Sequence, residues 1–564
     1  MTDATDKIGG QNPMSGTTAS DEYIAGGCFN LSLLVTIVSC LIALYIIPRL
    51  LSAAGRRHHS DEGRYASRVH RLPPGPRGLP FLGSLLDFRS DVFEKLADLT
   101  KLHGPIVYLQ IGKTRMVVLS SVDLIKEAFQ RNAANCSHRP QAMINATQHT
   151  RGIVTTQPGP LHRQNRSHLS NGFRLLGLGD STFSNHLHKH IDRFKSKLRQ
   201  NTGRPIPMNS ETYALVMKIF ADLALGKVPH QDPMEEDNDR LIKLLDKTLT
   251  SNPIMVLVGR YIPSWLKPLL TNWIDMSINI ADVMVSMKNH VREHRKDFAG
   301  KPTHLVDAFL YWERGGWRKS EGEDECIREE LQDGDGPEER TSGRTASDPV
   351  DEAENTENFA GILTDVFQAG CMSVVALLNW VLLNLALHPD VQTKIHKEST
   401  VKDSNQRPSA LAKNKSFPYT MATILETLRL FPPAPLGAPH CAARDTTIGG
   451  FHIPRDTILL SNIMLAQQDP RKWEDPLVFR PDRYIDESGG LTSTDIMGFS
   501  IGPRNCPGKL LSLTLVRSVL VDVLKDFSLR LPDSWAPKRH LGESSIIYTP
   551  KPFSLVVEIR QCHE

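Results

Sequence analysis

The sequence predicts a mainly α-helical protein with small β-sheets and a single transmembrane helix at its N-terminus. Three observations predict this. Helical periodicity dominates from Ser181 onward, β-like runs such as Ile106–Leu109 and Met116–Leu119 are short, and Ile24–Ile47 contains no charged residue. With 564 residues, 40% of them hydrophobic and 23% charged, the chain can bury a large core. A net charge of +3 is too mild to argue for a nucleic-acid partner. The 8 cysteines are scattered, with no C-x-x-C pair and no Cys/His cluster at zinc spacing. This argues against a disulfide scaffold or a zinc site and for a reducing compartment.

Taken in order, residues 1–23 form a short polar tail. A helix over 24–47 rises about 1.5 Å per residue, giving roughly 36 Å, enough to cross a hydrocarbon core of about 30 Å. Asp3, Asp6, Asp21 and Glu22 precede it, unlike the basic start of a cleaved signal peptide. Arg49, Arg56, Arg57, Arg64, Arg68 and Arg71 follow it, so the positive-inside rule puts the tail in the lumen and the rest in the cytosol. A basic, then proline-rich linker spans 48–84, where Leu72-Pro-Pro-Gly-Pro is too stiff for a helix. One large domain occupies 85–564. Val122–Phe129 reads as an amphipathic helix. A disordered acidic insertion is expected at about 318–357, because Glu321–Glu357 carries 15 acidic residues against three basic ones and almost no large apolar side chains. Phe359–Leu387 is the longest apolar helical stretch after the anchor. Asn379, Trp380 and Asn384 interrupt it and Asp365 and Gln368 sit in its first half, so it reads as a buried helix rather than a second span. Tyr419–Leu430 is a further helix ending at Pro432-Pro433, Gly450–Pro454 and Thr457–Ser461 are short strands, and Leu510–Lys525 is an apolar-striped helix.

That last helix runs out of the stretch Phe499-Ser-Ile-Gly-Pro-Arg-Asn-Cys-Pro-Gly508, a tight loop presenting one sulfur. Glycines allow close backbone approach, and N–H groups aimed at sulfur favour thiolate over thiol. Phe499, Gly502, Arg504, Cys506 and Gly508 match every fixed position of the haem-binding loop F-x-x-G-x-R-x-C-x-G. The chain therefore resembles the cytochrome P-450 family. Glu426-x-x-Arg429 on the preceding helix and Arg483 in Pro476–Arg483 fit the same family, where these three side chains form a buried clasp. The wording around Asp365, His440 and Cys506 is similar to the animal microsomal branch acting on drugs, steroids and fatty acids.

The resemblance implies a cytochrome P-450 fold and a haem-thiolate monooxygenase using haem b (iron protoporphyrin IX), with Cys506 as the axial iron ligand. It implies haem contacts from Phe499 and propionate contacts from Arg139, His162, Arg166, His440 and Arg504; His162 departs from the family, which usually has tryptophan there. Pocket residues by resemblance are Gln368, Ala369, Leu436, Ala438 and Ile546, around a lipophilic substrate. The family usually reads A-G-x-(Asp/Glu)-Thr on the long helix, so Gly370, Met372 and Ser373 are the catalytic candidates. Met372 cannot carry a proton, whereas Ser373 keeps a hydroxyl for a water-mediated relay. Either Met372 merely fills space, or the enzyme is a haem-thiolate isomerase or lyase that acts on a lipid hydroperoxide and needs no relay. A catalytically dead haem binder is the third reading. No flavin or NADPH motif is present, so NADPH is used only through a reductase partner, with cytochrome b5 as an optional second one. Arg163, Arg166, Arg174 and Lys509 are candidates for that basic docking face. The expected location is the endoplasmic reticulum membrane.

Overall fold

The computed structural model describes residues 71–560 except 80–82, 89–90, 148–149, 179–180, 227–275, 317–351, 404–416, 493–495, 536–540 and 544. The expected tail, anchor and basic linker, and the acidic stretch as far as 351, lie outside the described residues.

Helix α1 (Val92–His103) begins at Asp91, whose carboxylate accepts from the N–H groups of Phe93 and Glu94, and it buries Val92, Leu96 and Leu99. Strands β1 (Ile106–Ile111) and β2 (Thr114–Leu119) follow as a hairpin, with Ile111 opposite Thr114. Helices α2 (Pro160–Leu175), α3 (Ser181–Gln200) and α4 (Met208–Ala224) come next, with β3 (Pro205–Pro207) before the last of them. Then come α5 (Met276–Asp297), α6 (Leu305–Glu313), the long helix α7 (Glu352–Leu387) and α8 (Pro389–Asp403). Helix α9 (Pro418–Leu430) is separated from α10 (Lys509–Asp526) by β4 (His440–Cys441), β5 (Thr446–Ile448), β6 (Phe451–Ile453) and β7 (Ile458–Ser461). The chain closes with β8 (Phe527–Arg530), β9 (Gly542–Glu543), β10 (Thr549–Pro550) and β11 (Ser554–Ile559). The sheets are small, in the orders β1-β2-β7-β4 and β3-β11-β8, with the pairs β5-β6 and β9-β10. Mainly helical architecture with small sheets is what the hydropathy predicted.

Helix α7 is apolar on nearly every side because it runs through the core. It is long and apolar enough to cross a membrane, but 83% of its most apolar window is buried inside the protein. Its polar interruptions are paired where they stand. Asn379 Oδ1 accepts from Thr212 Oγ1 at 2.8 Å, and Trp380 Nε1 donates to the Tyr548 carbonyl at 3.0 Å while its ring stacks on Phe431. At Val366–Cys371 the helix widens into one π-turn, a local distortion common at functional sites.

The clasp on α9 is formed. Glu426 accepts from Arg429 Nε at 2.7 Å and Nη2 at 2.9 Å, and from Arg483 Nε at 3.0 Å. Neither Glu426 nor Arg429 is exposed at all. Arg429 also donates to the carbonyls of Gln467 and Pro476, so every charge removed from water has a partner.

Two expected boundaries move. Residues Glu352–Glu357, read as the end of the acidic insertion, are the opening turns of α7. Their acidic side chains suit a helix N-terminus, and two of them meet cations: Arg151 pairs with Glu354 at 2.9 Å and Lys288 with Glu357, while Arg295 Nη1 donates to the Thr356 hydroxyl at 2.7 Å. The proline-rich end of the expected linker also belongs to the domain. Tyr108 N–H donates to the Pro74 carbonyl and Ser84 N–H to the Gln110 carbonyl, both at 2.8 Å, so this segment covers the free edge of β1.

Candidate active site

Backbone geometry sets the sulfur in place. Cys506 N–H donates to the Phe499 carbonyl at 2.8 Å and Asn505 N–H to the Gly502 carbonyl at 2.9 Å, which curls the loop around the side chain between them. Gly502 has φ +74°, and a side chain there would strike the Phe129 carbonyl, so the position requires glycine. Gly508 caps α10, so Cys506 lies just before the positive end of a helix. Burial pushes the Cys506 thiol pKa up, while a hydrogen bond from the Gly508 backbone and the charges of Arg166 and Lys509 pull it back towards thiolate. The side chain is nevertheless exposed, because it faces an internal cavity of about 400 Å³.

The cavity wall is shared by the cysteine loop, the π-turn of α7, the run Pro433–Pro439, residues Ile153–Thr155 and Ser545–Ile547. All five expected pocket residues, Gln368, Ala369, Leu436, Ala438 and Ile546, line it. So do Phe499, Gly370 and Ser373. The Ser373 hydroxyl donates to the Ala369 carbonyl at 2.7 Å, which leaves its oxygen able to accept from a water in the cavity.

Met372, a catalytic candidate by resemblance, is not among the residues of the wall. Residues of a helix step about 100° apart, and the lining positions Ala369, Gly370, Ser373, Val374 and Leu377 gather on one face of α7 that does not include Met372. Met372 is 8% exposed and packs with Ala376 and Ile547. An acidic side chain at 372 would enter that apolar cluster.

Four of the five expected propionate ligands line the cavity: Arg139, His162, Arg166 and Arg504. Arg139 donates to the carbonyls of Val154, Ala438 and Pro439, and Arg504 to those of Ser137, Ile153 and Thr156. Arg166 donates to the Asn505 carbonyl at 2.8 Å and to Asn505 Oδ1 at 2.7 Å, so this docking-face candidate is turned inward. These acceptors are uncharged, and the acid that favours the charged form of Arg139 and Arg504 is Asp365. Burial lowers the pKa of Arg139 to about 9 and of Arg504 to about 10, and each is lowered further by a neighbouring arginine. His162 falls to about 3, through burial first and then the surrounding arginines. His440, the fifth, stands behind the wall: its ring lies on Phe129, and its Nδ1 donates to the Cys136 carbonyl at 2.9 Å.

Asp365 is the residue whose place sequence reasoning left undefined. It lines the cavity and accepts from the N–H groups of Ile153 and, at 2.9 Å, Val154, tying that segment to α7. The signal was an acid inside an apolar helix with no basic residue within a turn. Phe93 and Phe220 also line the cavity, with no pattern in the sequence to mark them.

A flat, largely apolar group bearing two carboxylates and an iron fits these residues. His162 Nε2 is buried without a hydrogen-bond partner, three guanidinium groups crowd one wall, and among the described residues the one cysteine that lines the cavity is Cys506. Haem has that composition. Comparison with known proteins points the same way. A family model described as Cytochrome P450 matches residues 73–557. The chain is 27% identical over 532 residues to Cytochrome P450 2D16 of Cavia porcellus, covering 93% of this chain and 98% of the relative. It is 26% identical over 480 residues to Cytochrome P450 2J2 of Homo sapiens, covering 83% and 87%. With that match across most of its length and a cysteine loop facing a cavity of about 400 Å³, the chain belongs to the cytochrome P450 family of haem-thiolate monooxygenases.

Proposed function

We propose that the protein is a membrane-anchored monooxygenase of the endoplasmic reticulum that inserts one oxygen atom from O2 into a lipophilic molecule of xenobiotic, fatty-acid or steroid type. The observation that carries this reading is Cys506 facing a cavity whose wall is otherwise mainly apolar, with Gln368 and Ser373 among its few uncharged polar side chains. Haem bound there supplies dioxygen cleavage and oxygen-atom transfer, with the second oxygen leaving as water after two electrons and two protons are taken up. Cys506 holds the iron side of the group, and Arg139, His162, Arg166 and Arg504 hold its carboxylates. Ser373 orders a water at the cavity surface and so positions a proton donor. Leu436, Ala438, Ala369 and Ile546 exclude bulk water and orient the apolar ligand. Electrons come from NADPH through a cytochrome reductase that docks on the cysteine side, with Arg163, Arg174 and Lys509 as candidates on that face.

The test is turnover of haem-loaded full-length protein with NADPH, reductase and 18O2, on ligands first chosen by their shift of the haem absorption. One 18O atom per product is expected. Cys506→Ser should lose both the product and the thiolate absorption of the reduced carbon monoxide complex, since an alcohol is a far weaker anionic donor. Turnover of a lipid hydroperoxide without reductase, and no 18O in any product, would sink the proposal in favour of an isomerase.

A further inference from the structure

Away from the cavity, the end of α5 and the start of α6 bring three imidazoles and a carboxylate together. His290 and His294 lie one turn apart on α5 with ring centroids 4.5 Å apart, and the His294 ring centre is 4.7 Å from that of His304, which caps α6. Asp307 stands in the first turn of α6. Its Oδ2 is 3.2 Å from His304 Nε2 and its Oδ1 is 4.0 Å from His294 Nδ1. One donor atom from each of His294, His304 and Asp307 lies within 4.8 Å of the other two. The cysteine-based spacing sought in the sequence could not reveal this group, because its ligands are His and Asp on two helices.

We infer that His294, His304 and Asp307 bind a divalent transition-metal ion of the zinc class, pinning the end of α5 to the start of α6. Two imidazoles and a carboxylate are a donor set that suits zinc and leave one position for water. Bonds of about 2.0–2.1 Å in a tetrahedral site place ligand atoms roughly 3.4 Å apart, so the set closes by side-chain rotation of about an ångström. His294 Nε2 is buried without a partner. One ligand has an outer shell: Asp307 Oδ2 accepts from Thr303 N–H at 3.1 Å and Thr303 Oγ1 at 2.8 Å, and the neighbouring His290 Nε2 donates to the Leu225 carbonyl at 3.0 Å. Gly226, at φ +69°, makes room, since a side chain there would overlap the His304 ring. Loading His304 at Nε2 shifts its ring proton to Nδ1, gives up the 3.4 Å bond from Asp307 N–H, and replaces the 3.2 Å contact between Nε2 and Asp307 Oδ2 by a shared ion.

The experiment incubates haem-loaded full-length protein with zinc chloride, washes it with a weak chelator, and counts zinc per chain by mass spectrometry beside His304→Asn and Asp307→Asn. Asparagine keeps the cap at 304 and an acceptor oxygen at 307, and the reduced carbon monoxide spectrum confirms that each variant is folded. The wild type should retain one equivalent, and each variant should bind at least about 100-fold more weakly, beyond the 10–100-fold cost of losing an outer-shell partner. Zinc-edge X-ray absorption on the wild type should give two imidazoles and oxygen at about 2.0–2.1 Å, and it decides alone if neither variant folds. A wild type that retains no zinc, variants that retain as much, or a sulfur shell overturns the inference.

Discussion

Position 372 separates what a motif says from what a side chain can do. The family pattern makes Met372 look like a missing acid, but the residue packs with Ala376 and Ile547 while Ser373 carries the hydroxyl at the cavity. Met372→Glu should therefore leave the ratio of product to NADPH consumed unchanged and cost about 2–4 kcal/mol of stability, as an unpaired carboxylate entering an apolar cluster. Ser373→Ala should lower that ratio and raise peroxide leakage, because the cavity loses the hydroxyl that orders water. Coupling ratios and denaturation midpoints for both variants check this pair. A ratio raised by Met372→Glu would restore the relay reading of position 372.

Among the elements, helix α7 shows how far composition can be trusted. Averaged over Glu321–Glu357, the acidic excess hides six residues that begin a packed helix, with Asn355 and Thr356 buried and Glu354 and Glu357 paired to Arg151 and Lys288. Replacing 321–351 by a short linker should leave haem content and the melting temperature unchanged, since a segment of this composition cannot bury a core. Extending the replacement to 357 should lower stability by about 2 kcal/mol, measured by denaturant midpoint, as buried polar groups lose their partners. Equal midpoints would show that α7 is held from its apolar half alone. Elsewhere the elements were legible where one period ran long enough: the β1–β2 hairpin, α9 and α10 begin and end within two residues of expectation. The π-turn was not, because no residue type demands it. Contacts across the chain were hidden too, such as the tie from Asp365 to Ile153 and Val154, since spacing in sequence carries no information about them.

For the whole molecule, buried neutral histidines set the acid limit. Burial lowers the pKa of His168 to about 4 and of His304 to about 4, and drives that of His440 well below its ordinary value. Unfolded, each titrates near 6.5. Between about pH 4 and 6.5 the unfolded chain therefore holds protons that the native state does not, so stability rises with pH across this window and is lost on acidification. His188 opposes them: its bond to Asp522 raises its pKa, giving stability that is present below 6.5 and fades as pH climbs past the folded value. With His290, His294 and His396 also lowered by burial, six groups against one leave a net fall, with a ceiling of about 1.4 kcal/mol per pH unit for each histidine. His162 is set apart, because bound carboxylates would offset the arginines that help lower it. The urea midpoint of the haem-loaded protein should then be flat from pH 8 to 7 and drop steeply from about pH 6 to 5, above the range where most carboxylates titrate. His168, whose Nδ1 is buried without a partner beside the Trp312 ring, offers the cleanest control. His168→Phe removes the imidazole that must charge and should flatten the acid slope by one proton while keeping the ring packing. A midpoint that does not move between pH 7 and 5, or a slope that His168→Phe leaves unaltered, would mean that these rings are hydrated in the folded state.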